Sequence, residues 1–121
     1  MNITKNKAYL FWKQHMGDKK HFIHCSNMIN ACLNATQNSD LNKDIFIIAG
    51  WLHDMGKLIN KTNHNITSLH YLDRFLIANK EYENICDELF DCIYNHRTTG
   101  TPKTIYGKVF KWADKIPIKL K

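Results

Sequence analysis

The sequence contains few residues that interrupt helices, with two prolines and five glycines in 121 residues. It has no apolar run of about 18 residues, and its N-terminus lacks the apolar segment and cleavage site of a signal peptide. These absences argue against a membrane partner, and we predict a cytoplasmic protein. Hydrophobic residues make up 44% of the chain, a fraction typical of globular proteins. A chain of this length supports one core, so we expect a single domain over residues 1–121.

The sequence also lacks a C-x-x-C pair, which is the usual spacing of a zinc or redox site. Its four cysteines lie inside helical patterns, where reduced cysteine behaves as a small hydrophobic residue: Cys25, Cys32, Cys86 and Cys92. We predict buried free thiols, with ligation of a soft metal as the alternative.

Acidic residues are outnumbered, with 11 Asp and Glu against 17 Lys and Arg, which gives a formal net charge of +6. An electropositive surface attracts phosphate-bearing partners. The lysines are spread along the chain and become dense only near its C-terminus, so a solvated basic face is the simpler interpretation. Net charge alone does not identify which phosphate-bearing partner the protein binds.

No window shows the period-two alternation of a half-buried strand, and apolar residues recur at helical spacing almost throughout. We predict an all-α fold, a compact bundle of about five to six helices. The predicted helices run from about Asn6 to His15, Lys19 to Gln37, Leu41 to Met55, Ile66 to Asn79, Tyr82 to Asn95 and Thr104 to Lys115. The third is apolar around its whole circumference, which predicts the central helix of the core. Asp18 is placed to cap the second helix, and Gly56 to end the third in a left-handed conformation.

The third predicted helix ends in His53 and Asp54, within the stretch GWLHDMGK. Two titratable groups at the end of an apolar helix need hydrogen-bond partners, a proton or a metal, because burying them unpaired is costly. Partners are available on other helices or helix ends: His24, His64, His96 and Asp114. Imidazole and carboxylate together suit divalent Mn, Fe, Co, Ni or Zn. A helical bundle can bring such ligands together at its centre.

Three segments resemble the motifs of the HD superfamily of metal-dependent phosphohydrolases. HCSNMINAC, which begins at His24, resembles the first motif, AGWLHDMGK the central A-x-x-L-H-D-x-G-K, and FKWADKI the closing motif. The motif core covers about residues 19–118. The resemblance implies an HD-domain-like fold in which His24, His53, Asp54 and Asp114 bind a divalent metal ion, with Mn, Fe, Co, Ni or Mg as candidates.

The resemblance also implies a place for a second metal ion. In family branches that hold two metals, the residue equivalent to Asp54 bridges them and further histidines complete the second site. His64, followed by NITS, and His96 occupy those positions here, although Arg97 follows His96 where several branches have another histidine. The alternatives are an exposed loop position for His64 and a helix C-terminal cation for His96.

The resemblance implies an enzyme that hydrolyses a nucleotide or another small phosphate ester with metal-activated water. Asp54 and Lys57 are the expected catalytic residues, with Asp54 orienting the water or taking its proton. Lys57 and Arg97 are expected to contact phosphate oxygens, and His21, three residues before His24, to contact substrate.

The alternatives are an HD-type nuclease acting on nucleic acid, a di-iron oxygenase on the same scaffold, and a regulatory domain without turnover. The complete ligand set favours an enzyme over the last of these. The sequence does not distinguish a monomer from a homodimer, nor does it identify the substrate.

Overall fold

The computed structural model describes residues 2–115, and within this range the chain is helical and contains no strand. Its α-helices are α1 (Lys7–His15), α2 (Lys19–Ala35), α3 (Lys43–Leu52), α4 (His64–Ala78), α5 (Cys86–Tyr94) and α6 (Ile105–Asp114). Short 3-10 helices cover Ile3–Lys5, Met55–Leu58 and Lys80–Ile85. Among these described elements, none has both the length and the apolar character needed to cross a bilayer. The all-α prediction is confirmed.

Polar side chains fix the starts of several helices. Asn6, Asp18, Asn42 and Thr104 each accept a hydrogen bond from a backbone N–H in the first turn of α1, α2, α3 and α6, respectively. These bonds satisfy N–H groups that have no partner within the helix. The prediction that Asp18 caps the second helix is confirmed.

The third helix is the centre of the core, as its apolar circumference predicts. All of its residues from Ile45 to Leu52 are buried, and α3 contacts α1, α2, α5 and α6. Gly50 allows α2 to approach closely, because a Cβ atom at this position would lie 2.2 Å from Cγ1 of Ile29. This approach brings His24 of α2 beside the C-terminal end of α3.

Several element boundaries differ from those expected. The fourth helix begins at His64 rather than Ile66, and residues Lys80–Ile85 form a 3-10 helix before α5. The prediction of a left-handed Gly56 is wrong, because only Gly17 has a positive φ among the described glycines. Gly56 lies instead in the 3-10 helix Met55–Leu58. The end of the predicted motif core, residues 116–118, lies outside the described residues.

The cysteines are free, as predicted. Cys25, Cys32 and Cys92 are buried, whereas Cys86 is half-buried. Burial raises the pKa of the Cys32 thiol to about 12, so this cysteine remains a neutral thiol near neutral pH.

Candidate metal centre

Four histidines and two aspartates meet beyond the C-terminal end of α3. They come from different elements: His24 from α2, His53 and Asp54 from the end of α3, His64 from the first turn of α4, His96 from just after α5 and Asp114 from the end of α6. These are the six residues that the sequence singles out as metal ligands. The fold places their side chains in one cluster.

The first part of the cluster consists of His24, His53 and Asp114. The two Nε2 atoms are 3.2 Å apart, and Oδ1 of Asp114 lies 3.4 Å from Nε2 of His24 and 3.7 Å from Nε2 of His53. Ligands at about 2.1 Å from one ion and about 90° apart lie roughly 3 Å from each other. These separations therefore fit three ligands of one metal ion.

The second part consists of His64 and His96, whose Nε2 atoms are 3.0 Å apart. Asp54 connects the two parts through its two carboxylate oxygens. Oδ2 lies 3.4 Å from Nε2 of both His24 and His53, whereas Oδ1 lies 3.3 Å from His64 and 4.0 Å from His96. One carboxylate thus faces a first histidine pair, His24 and His53, and a second pair, His64 and His96.

Backbone carbonyls fix the tautomers of three of these histidines. In each, Nδ1 lies within hydrogen-bond distance of the carbonyl three residues earlier: His53 to Gly50 at 2.8 Å, His64 to Lys61 at 3.1 Å and His96 to Ile93 at 2.5 Å. A carbonyl oxygen only accepts, so each Nδ1 carries a proton that it donates. In the neutral form of each ring the Nε2 lone pair points into the cluster, as in histidines that bind metals, and at His53 a metal ion would replace a proton on Nε2.

This tautomer pattern calls for a cation between the rings. Neutral His64 and His96 would direct two lone pairs at each other across 3.0 Å, which is unfavourable unless a proton or a metal ion lies between them. Burial and the charge of His53 lower the pKa of His96 to about 3, so His96 resists a second proton. The residues present therefore fit a divalent metal ion.

The electrostatics of the cluster also favour a cation. Burial alone would lower the pKa of His53, but the carboxylates of Asp54 and Asp114 raise it to about 9. Burial would raise the pKa of Asp54, yet His53, His64 and Lys57 hold it well below its usual range. The pKa of Asp114 is likewise lowered by its contacts with His24 and His53, against the effect of burial. Both carboxyl groups are therefore anionic and available to a metal.

Ser68 is a structural residue of the site for which the sequence offers little signal beyond its place four residues after His64. It is fully buried. Its hydroxyl donates to the carbonyl of His53 at 2.7 Å and accepts from the N–H of Gly56 at 2.8 Å. Ser68 thereby attaches α4 to the turn that carries Asp54.

Gly56 is required in the same turn for close packing rather than for a positive φ. A Cβ atom there would lie 2.3 Å from Oγ1 of Thr67 and 2.4 Å from the backbone nitrogen of Ser68. The turn and the first two turns of α4 are consequently in direct contact. This contact sets the distance between Asp54 and His64.

The cluster opens to the surface through a cavity of about 220 Å³ that Lys57 and Arg97 also line. Nζ of Lys57 lies 3.5 Å from Oδ2 of Asp54, and the Arg97 guanidinium donates to the carbonyl of Thr62. Both cations therefore lie at the cavity, where the sequence predicts phosphate contacts. His21 does not line it; its ring pairs with Asp18 at 2.9 Å in a neighbouring groove.

Comparison with known proteins identifies the family to which the chain belongs. A family model described as HD domain matches residues 21–117. No curated protein and no solved structure matches the chain. The matched segment contains all six residues of the cluster, and it covers most of the chain. Proteins of this family generally are hydrolases that use divalent metal ions, which agrees with the donor set described above. The chain belongs to the HD domain family.

Proposed function

We propose that this protein is a phosphohydrolase that uses two divalent metal ions to hydrolyse a nucleotide or another small phosphate ester. The observation that carries the proposal is the Asp54 carboxylate, which directs one oxygen at each histidine pair. A carboxylate shared between two sets of ligands is an arrangement that can hold a pair of ions close together.

Each ion has its own ligands in this proposal. His24, His53 and Asp114 hold one ion, His64 and His96 hold the other, and Asp54 binds both. When bound, a divalent ion would lower the pKa of a water molecule that it binds and would neutralise charge on a phosphate group. Imidazole and carboxylate suit Mn, Fe, Co and Ni, whereas Mg prefers oxygen ligands alone. The four histidines thus favour a transition metal over Mg.

The remaining residues of the cavity position the phosphate. Arg97 offers two N–H groups to phosphate oxygens, and Lys57 offers a point charge next to Asp54. The Asp54 carboxylate orients the attacking water between the two ligand sets, and the lowered pKa of that water lets its proton pass to solvent. Water forms the new bond to phosphorus, the bond to the leaving group breaks, and the leaving group departs with a proton.

A nuclease is the second candidate, and one surface feature favours it. Trp112 on α6 is 51% exposed and shares a groove of about 340 Å³ with Lys108, Lys111 and Lys115. An aromatic ring among cations offers stacking and charge to single-stranded nucleic acid. Binding of an oligonucleotide that weakens steeply with added salt, together with its cleavage, would favour this candidate.

Phosphate release from metal-stripped protein tests the proposal. Nucleotides, dinucleotides and phosphodiester reporters are supplied with Mn, Co, Ni, Mg or Fe(II) in separate reactions. We expect turnover that needs added metal and falls at least about a hundredfold in Asp54→Asn. The matched control is Asp73→Asn on the exposed face of α4, which should turn over normally. Bound metal without phosphate release from any compound would contradict the proposal, and oxygen consumption with iron would favour an oxygenase.

A further inference from the structure

A second cavity lies next to the metal cluster. It has a volume of about 330 Å³ and is lined by Lys20, Lys57 and Lys61, with His21, Asp18 and two apolar residues completing its walls. We call it the lysine groove. Lys57 lines both this groove and the opening of the metal cluster. The two cavities are therefore neighbours that share Lys57 as a lining residue.

Two of the three lysines in the lysine groove, Lys20 and Lys61, form no ion pair with the described residues, whereas Lys57 pairs with Asp54. Among residues 2–115, the carboxylates form ion pairs with Lys7, Lys57 and histidines, and neither Lys20 nor Lys61 belongs to such a pair. Asp18 is the acidic residue of the groove, but its carboxylate already accepts from the backbone N–H and the ring of His21. The lysine groove thus presents two ammonium groups, those of Lys20 and Lys61, that form no ion pair within residues 2–115.

We propose that the lysine groove binds a second phosphate group of the substrate, so that the substrate is a small molecule with two or more phosphates, such as a nucleoside polyphosphate. The proposal rests on the proposed function, since it places the scissile phosphate at the metal cluster. Lys57, between the cavities, contacts both phosphates. Ammonium groups act as point charges toward phosphate, and several of them are needed to match its two negative charges.

Calorimetric titration of metal-free protein with inorganic tripolyphosphate tests the groove without turnover. The test variant is the double substitution Lys20→Gln with Lys61→Gln. The matched control is Lys5→Gln with Lys80→Gln, which removes the same charge from exposed positions in two 3-10 helices. We expect the test variant to bind about tenfold more weakly than wild type, as two charge-assisted contacts are lost. The control should bind as wild type does.

Equal affinity of wild type and the test variant would overturn the proposal. So would an equal loss in the control, because it would show a nonspecific effect of net charge. Tighter binding of a short oligonucleotide than of tripolyphosphate, also lost in the test variant, would overturn it in favour of nucleic acid.

Turnover separates this proposal from the proposed function. With metal restored, the ratio of kcat/KM for a nucleoside triphosphate to kcat/KM for the monophosphate should fall about tenfold in the test variant. An unchanged ratio would overturn the role of the groove while leaving the phosphohydrolase intact. If wild type releases phosphate from no compound of the panel described above, the proposed function fails, and the tripolyphosphate titration alone tests whether the groove binds phosphate.

Discussion

At the scale of single residues, Asp54 and Asp114 make different contacts within the cluster. Asp54 approaches all four histidines, whereas Asp114 lies within 4.0 Å only of the first pair. We expect Asp54→Asn to lose both metal ions and Asp114→Asn to lose one, because asparagine removes the anionic ligand without changing its size. Metal content after dialysis, measured by plasma mass spectrometry, checks this. Asp73→Asn should retain two ions, and two ions in Asp54→Asn would contradict the shared carboxylate.

Ser68 acts through the backbone that it joins. Ser68→Ala leaves the His53 carbonyl and the Gly56 N–H without their buried partner, so we expect the free energy of unfolding to fall by about 1–3 kcal/mol. Urea denaturation of the metal-free protein measures the change. The control is Ser26→Ala, because the Ser26 hydroxyl donates to the Ile23 carbonyl at an exposed site. This variant should change the free energy of unfolding by less than about 0.5 kcal/mol. A Ser68 variant as stable as the control would show that these bonds contribute little.

At the scale of elements, Asp91 joins α5 to the start of α6. It is 5% exposed, and its carboxylate accepts from the backbone N–H and hydroxyl of Thr104 at 2.9 and 2.7 Å, from the N–H of Lys103 and from the side chain of Asn95. These bonds order the connection between α5 and α6. That connection includes Arg97, so Asp91 supports the opening of the metal cluster from a distance.

The carboxylate of Asp91 makes the free energy of unfolding depend on pH. Burial would raise its pKa, but the hydrogen bonds, those from Thr104 above all, hold it below its usual value. A lowered pKa in the folded state means that the carboxylate stabilises the fold above the unfolded-state pKa of about 3.9 and loses this effect as the pH falls through the folded-state pKa. We expect Asp91→Asn to lower the free energy of unfolding by about 2 kcal/mol at neutral pH.

Chemical denaturation of the wild type and Asp91→Asn across pH checks this. The difference between them should be constant above about pH 5 and shrink below about pH 4. Taking the difference cancels the titration of Asp54 and Asp114, which both proteins share. Asp73→Asn should show no comparable pH-dependent difference. A gap between wild type and Asp91→Asn that is the same at every pH would contradict the role of the charge.

At the scale of the whole molecule, the proposed ligands link separate parts of the fold. They come from α2, from the end of α3, from α4, from the loop that follows α5 and from α6. Metal bound only by the folded state therefore stabilises all of these contacts together, by about 2.7 kcal/mol at a concentration of 100 times Kd. For a domain of this size, we expect Tm to rise by about 10 °C. Scanning calorimetry with and without Mn or Co measures the shift, and the same shift in Asp54→Asn would indicate binding elsewhere.

Much of the fold follows from local patterns in the sequence. Helical periodicity predicts the six helices, and the apolar circumference of residues 45–52 predicts that α3 is central, because a helix apolar on all sides must be buried on all sides. The boundaries are less accurate. Tertiary contacts decide them, as at His64, where α4 starts two residues early against the turn at Gly56.

The sequence by itself determined which residues can bind a metal, because residue type fixes chemistry and the motifs fix the order of His24, His53, Asp54 and Asp114. Only the tertiary structure decided how they meet. Each histidine comes from a different element, so the two pairs, the oxygens of Asp54 that face them and the roles of Ser68 and Asp91 depend on helix packing across distant parts of the chain. The lysine groove arises in the same way, since α2 and the segment after α3 become neighbours only on folding.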